Sequence, residues 1–415
     1  MKYSLREYLL VSSIFLFSIV ITRQPAEIYL SYVIFLFYLP LFFKKYGIPK
    51  IVVMLFIPIV LSGVFEILIG NNSFSLFLKV FGGLFLSVIF YYYVICEFKF
   101  DIERLFYIYT KFALIIASIG LIQVISFFLG FEYGYNYTYI FNKWGVIEGG
   151  IVGIRMNSIF SEPSYYAAIM GPAQFIATYN IFYNKRFLLN KFQSFFLFSI
   201  YFLTASSVGF ISIFAILILL MINNGYLKQL LVISFIIYVS FYIIYNFVPE
   251  FKIRYDSTIE LLSDDNTNVN YDGKNSSSVI QYEQFQVAKK NFLKHPLFGT
   301  GLGSHPIAFD RFASRSFKEG PLGEFNSQDA NSMFSRMMSE TGLYGIILLF
   351  FFIWKFKVIR KYSGNNFWIY SNSLIIVFFI YLIRQGNYFY NGFPFFIWLY
   401  FFVYKRYKQS LKFGL

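Results

Sequence analysis

The sequence predicts an all-α polytopic membrane protein of about twelve transmembrane helices, with one large, partly helical external loop between helices 9 and 10. Three observations carry that expectation. The 415 residues are 58% hydrophobic and only 13% charged, which leaves too little polar side chain to clothe a soluble core. Apolar runs recur that approach the ~20 residues a helix needs to cross a bilayer. Lysines and arginines crowd into alternate connectors, as topology signals do. The runs are continuous and do not alternate in ~10-residue segments, which excludes a membrane barrel.

In chain order the runs fall at 8–22, 26–43, 50–70, 75–96 and 105–130, filling residues 1–130 with helices 1–5. Lys2 and Arg6 precede the first, but no small-residue cleavage site follows, so it reads as a spanning helix. Residues 131–155 form a first external loop rich in Tyr, Asn and Gly. Residues 156–248 hold helices 6–9, at 156–182, 188–204, 207–222 and 227–248; the stretch 188–222 is too long for one span and divides at Thr204–Ser207. Residues 249–341 form the large external loop, and 342–415 carry helices 10–12 (342–360, 366–384, 389–404) and a tail.

Sidedness follows from charge. Lys44, Lys45, Lys50, Lys99, Arg104, Lys185, Arg186, Lys191, Lys228, Lys355, Lys357, Arg360, Lys361 and the tail Lys405, Arg406, Lys408 and Lys412 fall on one side. The opposite short connectors hold only Arg23, Lys143, Arg155 and Arg384. Both termini are then cytoplasmic, and both long loops face outward. This distribution also accounts for the net charge of +14 without nucleic acid as a partner. The single cysteine, Cys96, forms no internal disulfide.

The large loop is close to neutral, with twelve acids against ten Lys or Arg. Within it, 263–278 is polar; 279–296 has helical composition, with Phe285, Ala288, Phe292 and Leu293 as the packed stripe. A turn-rich connector, "LFGTGLGSHP", follows at 297–306. A helix over 329–345 is opened by Asp329 or Asn331 and closed near Gly342. Few ionisable residues lie inside the spans; Glu66, Lys79 and Lys111 are the exceptions, and Glu66 and Lys79 lie close enough to the outer ends to snorkel. So few central charges argue against an ion-coupled transporter.

The outward face carries the candidate chemistry. Arg155, Arg254, Arg311, Arg315 and Arg384 lie at or beyond the outer helix ends. A guanidinium fork binds phosphate or carboxylate in two-pronged fashion, so the set suits a diphosphate or an acidic sugar. Each alone is better read as a salt bridge or a lipid headgroup contact. In "RMNSIFSEPSYYAAIMG" (155–171), Ser161 is a suitable N-cap, Pro163 suits the first turn and the Glu162 carboxylate complements the helix dipole. That explanation suffices for Glu162, with catalysis as the second reading. "GTGLG" (299–303) follows no parallel strand and is not a nucleotide loop; a flexible turn near sugar or phosphate fits it better. His295 and His305, the only histidines, both lie in the large loop, where a histidine could accept a proton. No Cys/His metal spacing and no nucleophile elbow are present.

The segments "RMNSIFSEPSYYAAIMG", "HPLFGTGLG" and "NSMFSRMMSETGLYG", within a twelve-span frame bearing a late external loop, resemble the Wzy-type polymerases of O-antigens and capsules, in the wider family that includes the O-antigen ligases. Members commonly carry an arginine followed by fifteen residues and a glycine; Arg155 and Gly171 match that spacing. Ligases usually show a His-Asn pair after the large loop, whereas this chain has Ala330 before Asn331, which shifts the expectation towards polymerase. The resemblance implies a glycosyltransferase of the bacterial inner membrane, acting on undecaprenyl-diphosphate-linked oligosaccharide repeat units for O-antigen or capsule, with a chain-length regulator as a further partner. No cofactor is implied, because the glycosyl diphosphate supplies the energy. Arg155 would hold the leaving diphosphate, and Glu162, His305, Asp329 and Glu340 are candidate catalytic groups. Tyrosines of the first loop would stack on sugar rings. The rival readings are an O-antigen ligase that transfers polymer to lipid A core, a polysaccharide flippase and a membrane scaffold.

Overall fold

The computed structural model describes residues 4–22, 28–140, 145–225, 230–247, 249–263, 274–323, 325–360 and 366–413. The topology signals at Arg23, Lys143, Lys228 and Lys361, and residues 264–273 of the polar stretch, lie outside the described residues.

The first expected span is not one helix. Helix α1 (Leu5–Ser12) starts on a Ser4–Glu7 capping box and then stops. Val20–Thr22 (β1) pairs antiparallel with Ile28–Tyr29 (β2) in a two-stranded ribbon. The cause is local: the Ser12 and Ser13 hydroxyls donate to Leu9 O and Leu10 O, and Ser31 Oγ donates to Ser13 O at 2.8 Å. Serines that bond nearby backbone offer it an alternative to the helical ladder.

Four long helices follow: α2 (Leu30–Tyr46), α3 (Lys50–Leu68), α4 (Phe74–Glu97) and α5 (Ile102–Phe128). Ser73 and Asp101 cap α4 and α5 by accepting from Leu76 N and Arg104 N. The first of the loops expected to be external, 131–155, holds one helical turn, α6 (Glu132–Tyr135). Then come α7 (Pro163–Phe182), α8 (Lys191–Phe202), α9 (Ser207–Asn224) and α10 (Leu230–Phe247). The chain breaks between α8 and α9 at the expected Thr-Ala-Ser-Ser turn, where Thr204 Oγ1 donates to Tyr201 O and accepts from Ser206 N. Among the described residues α3, α4, α5, α9 and α17 (Phe367–Arg384) are long and apolar enough to cross a membrane. The architecture is that of an all-α membrane protein.

Helix α7 is the hub, packing against α8, α9 and α17. It is buried over nearly its whole length, and its small residues admit close neighbours. Gly171 sits mid-helix, where a Cβ would lie 3.1 Å from Ile376 Cγ2 of α17. The glycine of the expected arginine-to-glycine motif therefore serves helix packing.

The segment expected to be external (249–341, the outer segment) contains α11 (Pro249–Ser263), α12 (Ser276–Lys294), α13 (His305–Phe312), α14 (Arg315–Lys318) and α15 (Met333–Glu340), with a small core of its own around Leu261, Val279, Val287, Phe309 and Phe317. Two expectations need correction here. The packed face of α12 is Val279, Ile280, Glu283, Gln284, Val287, Ala288 and Asn291; only Ala288 of the expected stripe belongs to it, and Leu293 points outward. The polar members are buried because they bond neighbouring segments, which a search for apolar periodicity passes over. The helix expected to close near Gly342 does so, as α15 ends at Glu340, but its N-cap is Ser332 and not Asp329 or Asn331; Gly342, with φ +59°, then opens α16 (Gly342–Lys355). After α17, a turn leads into α18 (Phe393–Phe413).

The polar groups sort to two ends. At one, Glu97 binds Arg6 (3.1 Å) and Lys45 (2.7 Å), Glu7 binds Arg104 (2.7 Å), and Arg406 donates to Phe100 O and Lys99 O. The start of α7, the end of α17 and the outer segment gather elsewhere, and the candidate site lies there.

Candidate functional site

A buried strap, residues 156–161, fixes the two ends of the sequence motif. Gln123 of α5 holds it: Nε2 donates to Asn157 Oδ1 at 2.8 Å, and Oε1 accepts from Asn157 N (3.1 Å) and Ser158 N (2.9 Å). Ser158, at φ +54°, donates its hydroxyl to Ile116 O, and Ser161 N donates to Ser18 Oγ. The N-cap of α7 is Glu162 and not Ser161 as expected; its backbone is extended, and Pro163 takes the first helical position. The strap places Arg155 at one end and Glu162 at the other.

Three distant segments meet at Glu162. Ser164 Oγ donates to Glu162 Oε2 at 2.8 Å and accepts from Gln385 Nε2 at 3.3 Å. Beside Gln385, at the end of α17, Arg384 Nη1 donates to Asn331 Oδ1 at 2.7 Å. Asn331 N and Asn326 Nδ2 donate to Asp329 Oδ1 at 3.1 and 3.0 Å. Glu162, Asp329 and Arg384 all lie within electrostatic reach of the Tyr165 phenol. The turn before α15 is tight: Ala330 and Asn331 have φ of +57° and +60°. Asn331 Nδ2 is buried without a hydrogen-bond partner among the described residues. A cation, two carboxylates and a spare amide donor thus converge, although the sequence disperses them over more than 200 positions.

Beneath this group is an ion pair that the sequence reading passed over. Arg336 Nε meets Glu340 Oε1 at 2.9 Å, and both side chains are almost wholly buried. Arg336 Nη1 donates to Gly386 O at 3.0 Å, and its guanidinium lies 4.6 Å from the Tyr388 ring centroid. Burial works against the Arg336 charge, yet Glu340, Tyr388 and Asp329 around it carry its pKa above the ordinary arginine value. Burial and then the neighbouring Glu340 push the Tyr388 phenol well above its usual range. The signal for Arg336 was available as Arg and Glu at i, i+4 on one helix face, but that pattern normally marks a solvated pair.

His305 is fully buried at the start of α13. Its Nε2 shares a 2.8 Å hydrogen bond with Gln284 Oε1, while Nδ1 has no partner among the described residues. Burial, reinforced by Arg336, lowers its pKa to about 3, so the ring is neutral and a weak proton acceptor at neutral pH. His295, at the end of α12, is half-buried.

The five arginines expected on the outward face separate. Arg155 and Arg254 line one small cleft with Gly150, Ala205, Ser207, Phe210 and Phe251, and Arg254 Nη1 donates to Ser207 Oγ at 2.9 Å. Arg384 belongs to the Asp329 cluster. Arg311, exposed, donates to Gly70 O, and Arg315 makes an exposed i, i+4 pair with Glu319. A larger cleft of about 310 Å³, mainly apolar, opens between α11, α12, α15 and the end of α17; Tyr282, Phe285, Phe334 and Gln281 line it. It borders the cluster, since Ser332 and Ile383 are the chain neighbours of Asn331 and Arg384. In the first outer loop Tyr133 and Tyr139 are exposed with ring centroids 5.3 Å apart.

The "GTGLG" turn is a packed backbone staple and not the flexible turn expected. Gly299, Gly301 and Gly303 have φ of +67°, +90° and +85°. Cβ atoms there would come within 2.5 Å of Glu340 C, 3.1 Å of Glu66 Cβ and 2.6 Å of Leu76 O. Only glycine permits both the conformation and the approach. Glu66 is consequently buried beneath the turn, accepting from Asn71 Nδ2 at 2.9 Å, whereas Lys79 is exposed as expected.

No curated protein matches the chain. Residues 192–350, from the start of α8 into α16 and including the whole outer segment, match the family model described as O-antigen ligase (Wzy_C). The site described above draws Asp329, Asn331, Arg336 and Glu340 from that matched region. Over those residues the chain is similar to the O-antigen ligase family, and its apolar helices are those of a membrane protein.

Proposed function

We propose that the protein is a polysaccharide polymerase that joins undecaprenyl-diphosphate-linked repeat units at the outer face of a bacterial inner membrane. The observation that supports it most is the meeting of Asp329, Asn331, Arg384 and Glu162 beside an apolar cleft. An acceptor sugar hydroxyl attacks the anomeric carbon of the donor. The bond from that carbon to the diphosphate oxygen breaks, the electron pair leaves with the diphosphate, and the hydroxyl proton passes to a carboxylate. Asp329 suits the last role: among the described residues both side-chain hydrogen bonds to it fall on Oδ1, which leaves Oδ2 for a hydroxyl. Arg384 and the Asn331 amide suit the leaving diphosphate, whose charge grows as the bond breaks. Arg155 and Arg254, converging on their own cleft, suit the other end of the anionic carrier. The exposed Tyr133 and Tyr139 suit stacking on sugar rings.

The frame proposed for this chemistry keeps twelve spans, cytoplasmic termini, external loops at 131–155 and 249–341, and a chain-length regulator as partner. The alternative within the family is ligation to lipid A core. Ala330 favours polymerisation, because it is buried where the ligase resemblance expects a histidine, and His305 is enclosed deeper in the fold. The flippase reading has little support, since an outer segment with its own core is not needed for transport. The test is the glycan ladder of cells expressing Asp329→Asn at normal level. Loss of long chains with single repeats still reaching lipid A supports a polymerase. Full-length polymer stranded on its lipid carrier would mean a ligase, and an unchanged ladder would remove Asp329 from the chemistry.

A further inference from the structure

Helix α16 is too short for its apolar character. Its 14 residues rise ~21 Å at ~1.5 Å each, against a hydrocarbon core of ~30 Å. Its outward face is nonetheless built for lipid, with Leu343, Ile347, Leu348, Phe351 and Trp354 all exposed.

The missing length is supplied by another segment. The turn after α12 is pinned on the first turn of α16, where Leu343 N donates to Pro296 O at 2.8 Å and Tyr344 N to Leu297 O at 3.0 Å. Those bonds satisfy amides that the start of a helix leaves open. The Phe298 ring lies 5.6 Å from that of Tyr344, so the two apolar surfaces are continuous. Leu293, Leu297 and Phe298 are 68%, 61% and 58% exposed, an unusual clustering for a surface that meets only water. Lys289 and Lys290 stand one turn before Leu293 on α12 and Lys294 directly follows it, all three exposed. Lys294 Nζ lies 4.7 Å from the Phe312 ring centroid, and Lys290 Nζ donates to Phe312 O.

We infer that residues 289–298 are an interfacial lipid anchor. Leu293, Leu297 and Phe298 enter the acyl–headgroup boundary of the leaflet above α16, and the three lysines meet the phosphates of anionic phospholipids. The partner is a lipid monolayer, because the patch continues the lipid-facing surface of α16 and places cations at headgroup height beside it, as interfacial segments do. The anchor also sets the depth of the site. The same turn runs on into the glycine staple, where Thr300 N and Gly301 N donate to Ser339 O and Glu340 O.

The test uses the full chain with Cys96→Ser and Phe298→Cys, labelled at residue 298 with a small fluorophore and reconstituted in vesicles. Quenchers carried near the carboxyl end of the acyl chain should lower emission about threefold or more, and aqueous iodide should do little. Raising the share of anionic phospholipid should deepen the acyl quenching, and Lys289→Gln with Lys290→Gln and Lys294→Gln should abolish that dependence. Strong quenching by iodide would overturn the inference by placing the segment in water. Protection from both quenchers would overturn it too, by showing that protein covers the patch.

Discussion

Replacing Arg336 by methionine removes a buried cation from three partners at once: Glu340 at 2.9 Å, Gly386 O at 3.0 Å and the Tyr388 ring at 4.6 Å. With side-chain exposures of 2% and 0%, solvent cannot screen the pair or rehydrate the carboxylate left behind. Breaking such a pair costs about 3–5 kcal/mol, chiefly as the penalty of an uncompensated buried charge. Removing both charges together, as Arg336→Met with Glu340→Leu, costs far less, because a pair replaced by apolar groups of similar volume is often neutral. A double-mutant cycle on unfolding in mixed micelles should therefore give a coupling energy of about 3 kcal/mol, the double variant being more stable than either single one. A single-variant cost below ~1 kcal/mol, or additive costs, would refute the reasoning. Since Arg336 also holds Gly386 O beside Arg384, the stable double variant should still lose transfer activity.

Three further outcomes are expected. His305, held near pKa 3 by burial, stays neutral in the fold while the unfolded chain takes up a proton below about pH 6.5. Its contribution is complete above that value and is lost as pH falls towards 3, so His305→Gln should flatten the acid limb of unfolding measured in detergent. Gly386→Ala places a Cβ against the Asp329 carbonyl and should destabilise by about 1–3 kcal/mol while displacing Asp329, read as lost transfer in membranes. Among the arginines, Arg384→Ala and Arg155→Ala should abolish long chains on a glycan gel, whereas Arg311→Ala and Arg315→Ala, both on the exposed surface, should leave the ladder intact.

The apolar runs, the break at Thr204–Ser207 and the helical nature of the outer segment were legible in the sequence. They rest on burial and local turn chemistry, which act over a few residues. The failure at residues 8–22 shows the limit of that reading, since serine hydroxyls redirected a backbone whose hydropathy alone promised a helix. Of the site, the sequence offered residue types without partners. It could nominate Arg155, Glu162, Asp329, Glu340 and Arg384, yet gave no means to separate Arg384 from Arg311, or to see that His305 is enclosed.

By itself, then, the sequence determined a helical membrane chain with its charged groups gathered mainly in the connectors, because the cost of burying charge in lipid is paid residue by residue. Only the tertiary structure decided which of those groups meet. Gln123 reaches 34 positions along the chain to hold the strap, and Arg336 reaches 50 to hold the Gly386 turn. A long-range contact of that kind leaves no periodicity in the chain, since it depends on how whole helices pack around α7.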